Sequence, residues 1–208
     1  MPAKQSRSES KELTRKALLR AALKLLSRNS YDSISLREVT REAGITPTAF
    51  YRHFDDMDEL GLVLVDEAFG MLSTMLRDAR SDPRLTDDAI TRSVEIVADH
   101  LDRHEAHMRF ISRERYGGVR RLRLAIRREL QLFADELAVD LSAFPMVNGW
   151  PADERRMLAS LIAETMVHMV SELLDASDAE RPVLIDRTTR QIRLIALGSI
   201  SYRVPPSS

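Results

Sequence analysis

The chain has 208 residues, enough for one large domain or two small ones, and its 44% hydrophobic and 30% charged residues are ordinary for a soluble globular protein. It contains no cysteine, which excludes a disulfide scaffold, a cysteine-based zinc site and a thiol nucleophile. No secretory signal is visible, and no apolar run approaches the roughly 18 residues of a membrane span, so we expect a cytoplasmic protein without membrane contact.

Charge is distributed unevenly along the chain. Residues 1–54 contain 11 Lys and Arg against 5 Asp and Glu, a net charge of +6, whereas the remainder contains 20 against 27, a net charge of -7. A basic head on an acidic body is typical of a protein whose head meets a polyanion. Charge alone does not decide this, because a basic N-terminal tail is common in any solvated protein.

The apolar periodicity predicts an all-α protein, since no segment alternates in the manner of a strand. Residues 1–10 are expected to form a flexible basic arm. The first helix is predicted over residues 11–28, with an apolar stripe opposite its Lys and Arg residues. A second helix is capped at Ser33 or Ser35 and ends before Gly44, the residue type that commonly follows a helix.

A third, short helix is predicted to begin with Thr46 as its cap and Pro47 as its first residue, and to end near His53 or Phe54. Longer helices follow, and a C-terminal tail, residues 204–208, is expected to be disordered. The later helices are predicted over residues 55–80, 86–103, 104–115, 118–140, 153–175 and 184–203.

Residues 35–54 have the pattern of a helix-turn-helix, in which the first helix braces a second that lies in the major groove of DNA. Apolar side chains are spaced to pack inward against Leu25 and Leu26: Leu36, Val39, Ala43, Ile45 and Phe50. The alternative is an ordinary helical hairpin of an all-α protein. The side chains predicted to face DNA are Ser35, Arg37, Arg41, Thr46, Pro47, Thr48, Tyr51, Arg52 and His53.

The N-terminal segment also resembles a known family. Residues 14–60 read TRKALLRAALKLLSRNSYDSISLREVTREAGITPTAFYRHFDDMDEL, which is similar to the DNA-binding domain of TetR-type repressors. The resemblance covers residues 11 to about 65. It implies a DNA-binding domain at 11–56, a helical effector-binding and dimerisation domain at 57–203, a homodimer paired through the last two helices, and a palindromic operator.

Two further segments resemble one branch of that family, the FabR and DesT group of repressors of unsaturated fatty-acid synthesis. These are PTAFYRHFDDMDELGLVLVDE at residues 47–67 and RERYG at residues 113–117. The branch implies a long-chain acyl-CoA or acyl-carrier thioester as effector, with an unsaturated ligand promoting DNA binding and a saturated ligand relieving it. Pro47 and Thr48 depart from the Lys-Gly of the wider family, and Met57 replaces a common lysine.

A pocket for an acyl chain would be lined by apolar residues of the body, among which methionine is the most adaptable. Such residues at helical spacing are also what an ordinary core requires, and that alternative stays open. The candidates are Phe69, Leu72, Met75, Met108, Phe110, Ile111, Leu130, Phe133, Leu137, Met166 and Met169.

An arginine-rich run, RFISRERYGGVRRLRLAIRRE at residues 109–129, suits the phosphates of a coenzyme A head group. The alternative is that these side chains pair with acids such as Glu105, Glu114, Glu129 and Asp135. The residues predicted to hold the head group are Arg109, Arg113, Arg115, Arg120 and Arg121.

Other functions have weaker sequence support. His100, His104 and His107 share a helical spacing, but nearby arginines disfavour a cation, so no metal is expected. No nucleophile-elbow, zinc-protease, P-loop or dinucleotide motif is present, so no enzyme activity or cofactor is expected. The rival interpretations are a regulator of another hydrophobic effector such as a drug or signal, a helical protein that binds lipid thioesters without DNA, and an unrecognised helical enzyme.

Overall fold

The computed structural model describes residues 7–80, 87–145 and 147–202, and in these ranges the chain forms α-helices without a strand. The all-α prediction is confirmed. A single 3-10 turn, Tyr31–Ser33, separates the first two helices. The helices are α1 Arg7–Leu26, α2 Leu36–Glu42, α3 Pro47–Phe50, α4 Met57–Arg80, α5 Asp87–Arg103, α6 Glu105–Glu114, α7 Arg120–Leu141, α8 Ala152–Leu173 and α9 Arg181–Ser201.

Two helices differ from their predicted bounds. Helix α1 begins at Arg7, so residues 7–10 belong to a helix rather than to the predicted arm. Helix α3 ends at Phe50 and is followed by a turn, in which Arg52 N donates to Ala49 O and His53 N to Phe50 O with the tighter i→i+3 spacing, before Phe54 N donates to Phe50 O. The predicted arm before Arg7, the break at 81–83 and the tail at 204–208 lie outside the described residues. None of the described helices is long and apolar enough to cross a membrane.

The chain packs as two compact units. The first consists of Met1–Ala68 with Ala106–Ile126, and the second of Phe69–Glu105 with Arg127–Ser208. Helix α6 and the beginning of α7 therefore pack with the N-terminal helices. The functional division predicted at residues 11–56 and 57–203 stays a prediction.

Reciprocal hydrogen bonds begin α2 as its sequence predicts. The Ser35 hydroxyl accepts a hydrogen bond from Glu38 N at 3.3 Å, and Ser35 N donates to the Glu38 carboxylate at 2.8 Å. The hydrogen bonds from the Ser35 side chain and backbone lower the pKa of Glu38. This capping box satisfies backbone donors that the first turn of a helix leaves open.

The turn between α2 and α3 depends on one glycine and one threonine. Gly44 has a φ of 68°, a conformation that L side chains rarely adopt. The Thr46 hydroxyl then accepts a hydrogen bond from Ala49 N at 3.3 Å, and Pro47 occupies the first helical position. Gly44 therefore ends α2, and Thr46 starts α3 two residues later.

Apolar side chains of α1, α2 and α3 form the core of this part of the first unit. Leu18, Leu26, Val39 and Phe50 are almost completely buried. The Phe50 ring lies 5.6 Å from the Phe54 ring. The predicted inward packing holds fully for Val39 and Phe50, whereas the remaining predicted positions are half-buried: Leu25, Leu36, Ala43 and Ile45.

In the second unit, α5, α8 and α9 pack against one another. The Leu101 side chain on α5, Met169 on α8 and Ile192 on α9 are buried in this core. The end of α9 is tied to the start of α8, because the Tyr202 hydroxyl donates to Glu154 at 3.0 Å and its ring lies 5.2 Å from Trp150. The last two helices thus form an antiparallel pair closed at one end.

Glycine-to-alanine substitutions test the role assigned to Gly44. Gly44→Ala should lower the free energy of unfolding by about 1–2 kcal/mol, because it forces a side chain into the left-handed region. Gly70→Ala, in an exposed position within α4 where an added Cβ has nothing within 4 Å, should raise it by about 0.5–1 kcal/mol. Urea denaturation of both variants measures the difference. Equal effects of the two substitutions would contradict the assignment.

Candidate functional site

The outer face of α3 presents a group of polar and aromatic side chains to solvent. The anchor of this helix is Phe50, which is 0% exposed, while Tyr51 beside it is 62% exposed. The Tyr51 ring packs edge-on against the Phe50 ring at 5.7 Å between centroids, which positions its hydroxyl outward. The predicted residues that the structure places on this exposed face are Thr46, Pro47, Thr48, Tyr51 and Arg52.

The predicted contacts on α2 differ in what their side chains are free to do. Arg37 and Arg41 are exposed. Ser35 is also exposed, but its hydroxyl accepts from Glu38 N and donates to the Glu38 carboxylate at 2.7 Å, so it is engaged in its own cap. Contact of these residues with DNA stays a prediction. The two arginines can supply positive charge, and Ser35 caps the start of α2.

His53 is the one predicted residue of this face that is half-buried. Burial lowers the pKa of its imidazole, and the charges of Lys11, Arg15 and Arg52 lower it further. Its Nδ1 has no hydrogen-bond partner among the described residues. At neutral pH the ring is therefore uncharged, and the positive charge at this edge comes from the surrounding lysine and arginines.

Arg15 is a residue of this basic edge that the sequence analysis missed. Its guanidinium lies over the Phe54 ring, 5.3 Å from the centroid, at the end of the α3 segment. The signal that could have found it is its i, i+4 spacing from Lys11 on α1. Lys11, Arg15 and Arg52 together give this edge the charge that a phosphate backbone requires.

Of the arginines predicted to hold a phosphate head group, Arg113 and Arg121 have protein partners in the first unit. Arg113 donates to the carbonyl oxygens of Leu26 at 3.2 Å and Ser27 at 3.4 Å, at the end of α1. Arg121 pairs with Asp56 at 3.4 Å and Asp58 at 3.3 Å. These interactions support the alternative of protein-paired arginines.

The other predicted head-group arginines are Arg109, Arg115 and Arg120. The guanidinium of Arg115 stacks over the neighbouring Tyr116 ring at 4.8 Å, Arg109 is half-buried and Arg120 is exposed. Asp135, one of the acids named as an alternative partner, pairs with Arg156 at 2.5 Å. A head-group role for these arginines stays a prediction.

The apolar candidates for an acyl pocket divide between the two units. Met108, Phe110 and Ile111 belong to the first unit, where Phe110 packs against Tyr31 with ring centroids 5.9 Å apart. The others belong to the second unit, where Phe69 and Met169 are buried. Met75 is among the residues whose side chains lie outside the description. The half-buried candidates of the second unit are Leu72, Leu130, Phe133, Leu137 and Met166.

A cavity of about 640 Å³ opens between α5 and α9 in the second unit. It is lined mainly by polar and charged side chains, and none of the predicted acyl-chain residues contributes to it. The predicted pocket residues are therefore not confirmed by this cavity. Its lining residues are Thr91, Glu95, Asp178, Arg181, Pro182, Ile185, Asp186, Thr189 and Arg193.

The three histidines do not lie on one helix, since α5 ends at Arg103 and α6 begins at Glu105. His100 is buried with its ring 4.4 Å from that of His104, whereas His107 lies 3.7 Å from the Glu67 carboxylate. No group of three or more potential metal ligands occurs in the part of the chain that the structure describes.

Residues 18–62, which include α2, α3 and their turn, match the family model of bacterial regulatory proteins of the tetR family. This segment of the chain is similar to the N-terminal segment of that family. The matched segment contains Gly44, Phe50 and all of the residues predicted to face DNA. The match therefore agrees with the resemblance seen in the sequence, and contact of the exposed α3 face with DNA stays a prediction.

Solved structures of regulators share the fold. FadR of Bacillus halodurans, a fatty acid degradation regulator, has a TM-score of 0.72 at 16% identity, covering 96% of this chain and 100% of that one. FadR of Bacillus subtilis in complex with stearoyl-CoA has a TM-score of 0.69 at 15% identity, covering 88% and 98%. AibR in complex with isovaleryl coenzyme A and operator DNA has a TM-score of 0.65 at 13% identity, covering 86% and 97%.

Arg52 offers a direct test of whether the exposed face of α3 contacts DNA. Arg52→Ala should weaken binding to duplex DNA similarly for all sequences and reduce the slope of log affinity against log salt by about one, because one phosphate contact is lost. Fluorescence anisotropy over a series of salt concentrations measures the slope. Arg128→Ala, a change at an exposed position of α7 in the second unit, is the control and should leave the slope unchanged. An unchanged slope in Arg52→Ala would remove this residue from the surface.

Proposed function

We propose that this TetR-family DNA-binding regulator is a homodimeric repressor of genes for unsaturated fatty-acid synthesis or desaturation. In this proposal it binds a palindromic operator and senses the saturation of a long-chain acyl-CoA or acyl-carrier thioester. An unsaturated ligand favours DNA binding, and a saturated ligand relieves it. The observation that carries the proposal is the exposed face of α3 beside a basic edge, within a segment that matches the tetR family model.

DNA recognition follows from the chemistry of that face. The exposed hydroxyls of Thr48 and Tyr51 can bond base edges or phosphates, and the Thr48 methyl group can contact a thymine methyl. Lys11, Arg15 and Arg52 supply positive charge for the phosphate backbone. Contacts to base edges determine which DNA sequence is bound, whereas phosphate contacts orient the domain on the duplex.

A homodimer through α8 and α9 is supported by apolar side chains on these helices that their own unit leaves exposed. Met157 and Leu161 lie one turn apart on α8, and Leu194 and Leu197 lie one turn apart on α9. Leu194 is 68% exposed and Leu197 is 60% exposed. Two copies of this helix pair would form a four-helix bundle and present two DNA-binding domains to a palindrome.

An acyl thioester effector is supported by two similar structures. Those proteins, FadR of Bacillus subtilis and AibR, were solved with stearoyl-CoA and with isovaleryl coenzyme A. The choice of unsaturated fatty-acid genes rests on the RERYG segment and on the Pro47-Thr48 pair, which resemble the FabR and DesT branch. Straight and kinked chains differ in shape and can therefore favour different conformations of one body.

A mobility-shift experiment with the region upstream of the protein's own gene tests the proposal. Oleoyl-CoA should strengthen the shift and palmitoyl-CoA should weaken it, with affinities separated by roughly tenfold, since couplings of this kind amount to about 1–3 kcal/mol. Free coenzyme A is the control and should have no effect.

Two results of that experiment would contradict the proposal at different levels. If no shift appears at low salt with or without acyl-CoA, the repressor function is wrong. If the shift appears but responds equally to both acyl chains, the DNA-binding function stands and the acyl-saturation effector is wrong. The same conclusion follows if, in a separate thermal-unfolding measurement, a cationic drug raises the melting temperature of the protein and the two acyl-CoA ligands do not.

A further inference from the structure

Tyr31 occupies the turn between α1 and α2 and is 3% exposed within the first unit. Its hydroxyl donates a hydrogen bond to the Met57 carbonyl oxygen at the start of α4. Its ring contacts Phe110 on α6 with centroids 5.9 Å apart. One side chain of the turn thus contacts two helices that come much later in the chain.

Gly61 on α4 provides the space for this side chain. A Cβ added at Gly61 would lie 2.8 Å from Tyr31 Cζ, 2.9 Å from its hydroxyl oxygen and 2.8 Å from a methyl carbon of Leu122 on α7. Carbon atoms do not approach so closely without displacement, and the Tyr31 ring cannot shift easily in a filled core. The Tyr31 side chain therefore fits a groove that only glycine leaves open.

Glu114, the last residue of α6, holds the same turn through its backbone. Its side chain is only 1% exposed, and its Oε1 accepts a hydrogen bond from Tyr31 N at 2.8 Å. Its Oε2 is also buried and has no hydrogen-bond partner among the described residues. The glycines that follow leave room for this arrangement, since a Cβ at Gly117 would collide with Glu114 Oε2 and one at Gly118 with the Asp32 carboxylate.

Burial of the Glu114 carboxylate lowers the stability of the fold, which a role in packing alone does not explain. Burial raises its pKa, the hydrogen bond from Tyr31 N opposes that shift, and the charge of Asp32 adds to it. A buried acid of this kind destabilises the fold unless its hydrogen bond has a compensating role. An alanine or leucine in the same place would avoid that cost and lose only the bond to the turn.

We propose that Glu114 and Tyr31 form a latch that positions the turn between α1 and α2 and thereby couples effector state to DNA affinity. The inference rests on the proposed function and names the residues that regulate it. Tyr31 is four residues before Ser35, the cap of α2, and α2 leads through Gly44 to α3. A displacement of the turn therefore changes the support of the DNA-facing helix.

Three helices that contact the turn between α1 and α2 also extend into, or begin in, the second unit. The latch joins the α1–α2 turn to α4, α6 and the first turns of α7. Helices α4 and α7 continue into the second unit after Ala68 and Ile126, and α6 begins at Glu105, the last residue of that unit before the chain enters the first unit again. A shift of these helices along or about their axes is transmitted to the turn only while the Glu114 bond and the Tyr31 contacts are intact.

The test compares operator affinity with and without palmitoyl-CoA in wild type and three variants. Glu114→Ala removes the acceptor for Tyr31 N, Tyr31→Phe removes the hydroxyl and keeps the ring, and Glu114→Gln keeps an acceptor oxygen. Glu136→Gln, an exposed position on α7, is the matched control. Binding of palmitoyl-CoA to each variant is measured separately by calorimetry, so that loss of coupling is distinguished from loss of ligand.

The latch predicts that palmitoyl-CoA changes operator affinity at least about fivefold less in Glu114→Ala and in Tyr31→Phe than in wild type. Both variants should still bind the ligand. Glu114→Gln should retain most of the response, and Glu136→Gln all of it. Amide hydrogen exchange should rise around residues 30–43 in Glu114→Ala and stay unchanged in α8 and α9.

A wild-type response in Glu114→Ala or Tyr31→Phe overturns the latch. So does an equal loss of operator and ligand binding in all three latch variants, because that pattern reports a merely structural role. If Glu114→Ala does not fold, the comparison of Tyr31→Phe with wild type decides the question. If wild type itself neither binds the operator nor responds to palmitoyl-CoA, the proposed function fails and the latch falls with it, an outcome distinct from failure of the variants alone.

Discussion

Burial of the Phe50 side chain is the interaction on which the exposed outer face of α3 depends. Helix α3 has four residues, which is far below the roughly 12–15 residues that an isolated helix needs for stability in water. It exists because Phe50 is 0% exposed in the first unit and because Thr46 caps its start. Because the Phe50 side chain points inward, those of Thr48 and Tyr51 on the same short helical segment face solvent. Contact with a base edge would require this orientation.

The same unit uses a second, polar anchor at the opposite end of the helix-turn-helix. Tyr31 and Glu114 fix the turn before α2, whereas Phe50 fixes the helix after it. The apolar anchor stabilises by removing surface from water and has no direction. The polar anchor is directional and depends on one hydrogen bond in a buried setting, which suits it to a part that shifts between two positions. Phe50 therefore holds α3 in place, whereas the bond between Tyr31 and Glu114 supports α2 in a way that can change.

Local sequence signals were sufficient for most of the fold. Apolar periodicity placed the helices, the Ser35–Glu38 spacing gave the capping box, and Gly44 with Thr46 gave the turn, because each of these interactions joins residues within four positions of one another. The outward face of α3 followed from the same periodicity.

Interactions between distant residues could not be predicted in this way. Tyr31 and Glu114 are 83 positions apart, and Arg113 contacts the end of α1 from 87 positions away. Arg121 pairs with Asp56 and Asp58 rather than with the acids near it in sequence. The residues predicted for an effector share only apolar character, which a helical core also requires, so their pattern does not separate pocket from core.

The most direct test of the account is a hydroxyl-radical footprint of the protein on the DNA upstream of its own gene. The account predicts two protected half-sites related by a palindrome, with centres about one helical turn, roughly 10–10.5 base pairs, or a multiple of it apart, as two symmetry-related recognition helices require. Tyr51→Ala should weaken protection within both half-sites equally. A single unpaired protected site, or protection that does not depend on Tyr51, would contradict a dimeric repressor that reads DNA through α3.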